Sequence, residues 1–106
     1  MGTQQPNVPM NINSSVEYAS RSVVSKVIMK QPGGQVTLFS FDAGEGLSEH
    51  TTPFEALVTV TDGTAVISIS GVEHPVSAGE AIILPANIPH AVFAKERFKM
   101  MLTMIK

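Results

Sequence analysis

The chain has 106 residues, enough for one domain and too few for two. Seven Lys and Arg against nine Asp and Glu leave no basic face, which argues against a nucleic-acid partner, and the absence of cysteine excludes a disulfide scaffold, a thiolate metal site and a cysteine nucleophile. No apolar run approaches the roughly 20 residues of a membrane span, and the polar N-terminus lacks the apolar core of a secretory signal, so the expected location is the cytoplasm with no membrane partner.

Residues 1–15 contain Pro6, Pro9 and several Asn, Gln and Ser. With little to bury, this stretch is expected to fray. Residues 16–21 fit a short turn or the start of a strand. The chain therefore divides into a polar segment over 1–21, partly disordered or exchanged with a second copy, and a barrel over 22–106. Residues 22–30 (SVVSKVIMK) are rich in β-branched side chains and read as a strand. The turn residues of 31–35 (QPGGQ) lead into a second strand over 36–42, so the pair reads as a hairpin.

Residues 44–63 (GEGLSEHTTPFEALVTVTDG) read as a turn, one histidine, a proline-marked bend and a strand that ends at a second glycine. Along that strand Ala56, Val58 and Val60 alternate with Glu55, Leu57 and Thr59. Residues 64–70 form a strand with Ala65, Ile67 and Ile69 on one face. Residues 72–76 form a short strand in which Pro75 suits an edge or a strand end. After a turn at 77–80 come a short apolar strand over 81–84, a loop held by Pro85 and Pro89, and extended structure over 90–94. Residues 98–105 (FKMMLTMI) read as a last strand with Phe98, Met100, Leu102 and Met104 on one face. Many short, evenly spaced strands indicate an all-β sandwich or barrel. Free edge strands need cover, and pairing of an N-terminal strand with a second copy would supply it, so a homodimer is expected.

Two stretches carry a family resemblance. In 44–63 the residues Gly44, His50 and Gly63 stand at the places of the first motif of the small single-domain cupins, with Pro53 after the bend; in 79–94 the residues Gly79, Pro85 and His90 match the second motif. Residues 22–105 resemble that family as a whole, which implies a double-stranded β-helix, or jelly-roll barrel. In metal-binding cupins three histidines and one glutamate hold a divalent ion inside the barrel. Here Thr52 stands at the place of the second histidine, Ala56 at that of the glutamate, Asn87 at that of a glycine and Ala94 at that of an asparagine. His50 and His90 are what is left of the ligand set. Glu55 sits one position early, and alternation sends it to the opposite face from Ala56.

The resemblance therefore implies a pocket at His50, Thr52, Ala56 and His90, with His50 and His90 as candidate metal ligands. No cofactor is required by these residues; a divalent transition metal (Zn, Ni, Fe, Mn or Cu) is the one they admit, with too few donors for a closed zinc shell or for two histidines plus a carboxylate. The function expected first is binding of a small organic molecule or anion by an apolar pocket with two histidines as its polar groups. The alternative is a metal-dependent cupin enzyme, a dioxygenase, isomerase or decarboxylase, in which both histidines ligate the metal. A dimeric structural protein with no retained site is the blandest reading. His74 reads as a strand-end surface residue, Glu55 as a solvated or dimer-edge carboxylate, and Met100, Met101 and Met104 as core filler.

Overall fold

The computed structural model describes residues 4–106. Nine strands are present among them: β1 (Val23–Gln31), β2 (Gly34–Phe41), β3 (Gly46–His50), β4 (Glu55–Asp62), β5 (Thr64–Ile69), β6 (Val72–Ser77), β7 (Ala81–Leu84), β8 (His90–Phe93) and β9 (Phe98–Ile105). They form two antiparallel sheets, ordered β1-β2-β9-β4-β7 and β3-β8-β5-β6. The fold is the all-β sandwich expected from the strand spacing, in the jelly-roll form that the resemblance implies. No helix among the described residues is long and apolar enough to cross a membrane.

The hairpin of β1 and β2 turns on Pro32 and Gly33 alone, tighter than the five-residue turn expected, because Gln31 and Gly34 already pair. The strand β3 is the element that the sequence reading missed, since residues 46–50 (GLSEH) lack the β-branched signature. Residues 98–105 are extended, as their alternation predicts, although methionine and leucine also favour helices. Pro75 lies within β6, at the edge of the four-stranded sheet, where its missing N–H costs no ladder bond. Asp62 and Gly63 turn the chain between β4 and β5. Gly63 has φ +75°, and a Cβ there would stand 2.5 Å from the Arg97 carbonyl oxygen, so only glycine fits.

The main core lies between the sheets. Phe41, Val58, Val60, Ile67, Phe98 and Met100 are almost fully buried, and Phe41 stacks on Phe98 with ring centroids 4.6 Å apart. Alternation decides the composition: Ala56, Val58 and Val60 of β4 turn inward, while Glu55 and Leu57 face out.

A second, smaller core lies on the outer face of the five-stranded sheet. Leu38 and Ser40 of β2 point outward, yet both are buried under residues 13–18. Val16 is 4% exposed there. The Asn13 amide donates to the Thr61 carbonyl (2.9 Å), the Ser40 hydroxyl to the Glu17 carbonyl (2.7 Å) and the Tyr18 hydroxyl to Asp62 (2.6 Å). The Lys99 ammonium donates to the Asn13 carbonyl at 2.5 Å. Residues 11–18 thus act as a strap; the expectation that residues up to 15 have nothing to hold them overlooked backbone carbonyls, which any polar segment offers. Asp42 fastens the far end of the strap. Its carboxylate accepts from the Arg21 amide (2.8 Å), and that bond, with one from Ala43, holds its pKa below the usual range.

Candidate functional site

The cavity sits at one end of the main core. Its lining is Leu47, His50, Thr52, Ala56, Val58, Leu84, His90, Val92, Met100, Leu102 and Met104. The space that the centre of a water-sized sphere can reach is about 50 Å³. All four residues singled out from the sequence, His50, Thr52, Ala56 and His90, are in the lining.

A β-bulge brings the two histidines together. In β3 and β8, Leu47 pairs with Val92 and His50 pairs with His90, so Ser48 and Glu49 together oppose Ala91. Leu47 faces the cavity. Strict alternation would send His50, three residues on, to the outside. The extra residue reverses this and aims His50 inward. The ring centroids of His50 and His90 are 4.4 Å apart with planes 69° to one another. His50 is exposed at the mouth, while His90 is 7% exposed and lies deeper.

Each imidazole is held at Nδ1 by a carbonyl two residues back. His50 Nδ1 lies 2.8 Å from the Ser48 oxygen, and His90 Nδ1 lies 3.2 Å from the Ile88 oxygen. A carbonyl only accepts, so Nδ1 carries a proton in both rings, and Nε2 is the nitrogen whose lone pair is left when the ring is neutral. Burial pushes the His90 pKa below its ordinary value; the Nδ1 bond opposes this, and the nearby His50 adds to it. His90 is therefore neutral at pH 7.

The loops keep this arrangement. The Asn87 amide donates to the Thr52 carbonyl (2.7 Å) and the Ser70 amide to the Pro89 carbonyl (2.9 Å). Asn87 has φ +64°, a left-handed conformation that asparagine tolerates better than most residues. The Thr52 hydroxyl donates to the Phe54 carbonyl (3.0 Å) and shapes the bend into β4.

Other candidates lie apart. His74 is half-buried at the β6 edge, in a groove with Pro75, Glu80 and Ile82, away from the His50–His90 pair. Glu55 is exposed on the outer face of β4. Met101 also faces outward, paired with Leu38 and Thr59. Met100 is part of the main core, as read from sequence, and also borders the cavity, while Met104, read as core filler, lines the cavity. The signal for this was available in the alternation of residues 98–105, which places both on the face of Leu102.

The cupin-domain family model matches residues 37–106. The chain belongs to the cupin family. Over its full length this cupin is 30% identical to a conserved protein of unknown function from Streptococcus pyogenes, covering 92% of that chain with a TM-score of 0.91. It is 44% identical to a cupin 2 conserved barrel domain protein from Leptotrichia buccalis over 88% of its own length; it spans 45% of that longer chain, with a TM-score of 0.85. A cupin superfamily protein from Desulfitobacterium hafniense is 28% identical over 99% of this chain and 95% of its own, with a TM-score of 0.89. The salicylate 1,2-dioxygenase of Pseudoaminobacter salicylatoxidans, at 12% identity and a TM-score of 0.74 over 81% of this cupin and 27% of the enzyme, shares the fold alone. No curated protein matches the chain.

The divalent metal that the family implies does not fit these residues. Thr52 and Ala56 bring a committed hydroxyl and a methyl where donors are needed. Among the described residues no group of three or more His, Cys, Asp and Glu is placed to hold an ion. Two neutral imidazoles leave the charge of a dication unbalanced in a mostly apolar cavity.

Proposed function

We propose that this cupin binds a small neutral molecule bearing a hydrogen-bond donor, with His50 and His90 Nε2 as the acceptors. The observation that carries this reading is the commitment of both Nδ1–H groups to backbone carbonyls, which leaves two lone pairs in an apolar pocket. An O–H or N–H group entering the cavity replaces its water partners with these acceptors. The expected anion is the less favoured half of the sequence reading. No Lys or Arg lines the cavity, and His90 is neutral at pH 7. The enzyme alternative calls for metal donors that the lining lacks.

Size narrows the class further. The cavity is confined, with about 50 Å³ open to the centre of a water-sized sphere, so it suits a small molecule. A larger occupant displaces the flexible side chains of Met100 and Met104. The test is thermal unfolding of the metal-free protein with small alcohols, amides and carboxylates at pH 7.5. Neutral donors at about 100 times their Kd should stabilise by about 2.7 kcal/mol, and His90→Phe should abolish the effect. Stabilisation by carboxylates alone would refute the reading.

We further propose a second copy of the chain as the macromolecular partner. On the outer face of the five-stranded sheet, Met29, Val36, Thr103, Leu57 and Ile83 lie in one cross-strand row, with exposed Ile105 beside it. An outer sheet face is ordinarily polar, and a two-fold axis would set this row against itself.

A further inference from the structure

The outer face of the five-stranded sheet is half covered by the chain itself. Residues 11–18 lie over the end that carries Ser40, Lys99 and Asp62, and Leu38 is buried with them. Ahead of them, the Gln4 amide donates to the Ile28 carbonyl at the outer edge of β1 (2.7 Å), so residues 4–13 run from that edge across to Thr61 of β4. The other end of the face is bare. It holds the outer row from Met29 to Ile83 and, two residues farther along the strands, Gly34, Ile105 and Glu55. Leu57, Ile83 and Ile105 are exposed there and line an open hollow with Glu55 at its side.

The outward side of the covering segment is suited to burial. Residues 4–16 contain no Asp, Glu, Lys or Arg, although most of them are exposed. Depletion of charge marks the core of an interface and not an ordinary surface. Val8 and Ile12 stand outward, 50% and 39% exposed. Val8 is also preset. It follows a turn at Pro6 and Asn7, where Asn7 has φ +66°, and Pro9 restricts it to extended backbone, so little freedom is lost when it is buried.

Packed sheets lie about 10 Å apart, and the segment already fills that layer over its own half of the face. A two-fold axis parallel to the strands would stack segment on segment and leave bare face opposite bare face across a gap. A two-fold axis across the strands, at the border of the two halves, lays each copy's segment on the bare half of the other. The outer rows then flank the axis, each covered by the other copy's segment. This axis keeps β4 over β4, so Ile12, next to the Asn13 that bonds Thr61, comes down on the hollow beside Leu57. We infer that residues 4–16 are an interface arm that docks on the bare half of a second copy of the chain, with Val8 and Ile12 as its buried side chains and the hollow of Leu57, Ile83 and Ile105 as the seat. The inference rests on the homodimer reading and fixes where its two-fold axis lies.

The test uses the full chain in sedimentation over a concentration series. Val8→Asp with Ile12→Asp should weaken self-association by at least about tenfold, the factor that burial of even one such side chain supplies. Val72→Asp, exposed on the four-stranded sheet, should leave it unchanged. Val8 and Ile12 are exposed within one copy, so thermal unfolding of the diluted double variant should match the wild type. The chain has no cysteine, so Ile12→Cys and Ile105→Cys each carry a single thiol. Mixed and treated with a short bis-maleimide, these two variants should give a dimer linked between unlike copies. A wild-type monomer throughout the series overturns the dimer reading and the docking together. A wild-type dimer that Leu57→Lys with Ile83→Lys dissociates, and Val8→Asp with Ile12→Asp does not, keeps the dimer and overturns the docking. Absence of the mixed cross-link in a proven dimer overturns the docking as well.

Discussion

Restoring two donors should turn the cavity into a divalent-metal site. The perturbation is Thr52→His with Ala56→Glu. Both residues line the cavity with His50 and His90, and Ala56 is 9% exposed, between Leu84 and Met104. Structural zinc sites with four ligands bind with about 10–16 kcal/mol, or about 2.5–4 kcal/mol per ligand. Two added ligands are then worth about 5–8 kcal/mol. Imperfect geometry that halves this still leaves about 2.5–4 kcal/mol, which is about two to three decades in zinc affinity. Without metal the introduced carboxylate has no cation beside it in the cavity, so the metal-free variant should lose about 3 kcal/mol of stability. Competition with a chromogenic zinc chelator gives the affinity, and thermal unfolding with and without zinc gives the stability. An affinity gain below about tenfold, or a melting temperature indifferent to zinc, would refute the convergence of these four positions on one point.

Four further outcomes are expected. Stability should depend on His90: its pKa is lowered in the folded state, so the unfolded chain takes up protons first as pH falls; the contribution is complete above the ordinary value near 6.5 and is lost as pH drops through the folded-state value. Urea midpoints between pH 5 and 7.5 should fall toward acid, and His90→Gln should flatten that slope. Phe98→Ala removes a fully buried ring stacked on Phe41 and should cost about 3–5 kcal/mol by chemical denaturation, whereas Ser40→Ala, which removes the bond from the buried Ser40 hydroxyl to the Glu17 carbonyl, should cost about 0.5–1.5 kcal/mol and hasten proteolysis of residues 4–20. In sedimentation, the wild type should run as a dimer and the double variant Leu57→Lys, Ile83→Lys as a folded monomer; a wild-type monomer would remove the role given to the outer row.

Local pattern alone carried most of the fold. The alternation in residues 55–62 and 98–105 and the turn residues at 31–35 and 62–63 were enough for an all-β sandwich or barrel, and the resemblance carried by Gly44, His50, Gly63, Gly79, Pro85 and His90 implied the jelly roll and the pocket near the two histidines. These signals are local because side-chain alternation and turn geometry depend on a few adjacent residues. The strand at residues 46–50 escaped notice for the same reason: its stability comes from its partner β8 and not from its own composition.

What the sequence by itself determined, then, is which side chains share a face along each strand. What only the tertiary structure decided is how the faces meet. His50 turns inward because two residues of β3 oppose one residue of β8, and a bulge is a property of a pair of strands. Met104 enters the cavity because β9 is placed in register beside β4, with Ala56 opposite. Residues 11–18 are held because carbonyls, a lysine and a buried serine from elsewhere in the chain reach them. Each of these depends on contacts between residues far apart in the chain, and local periodicity cannot report them.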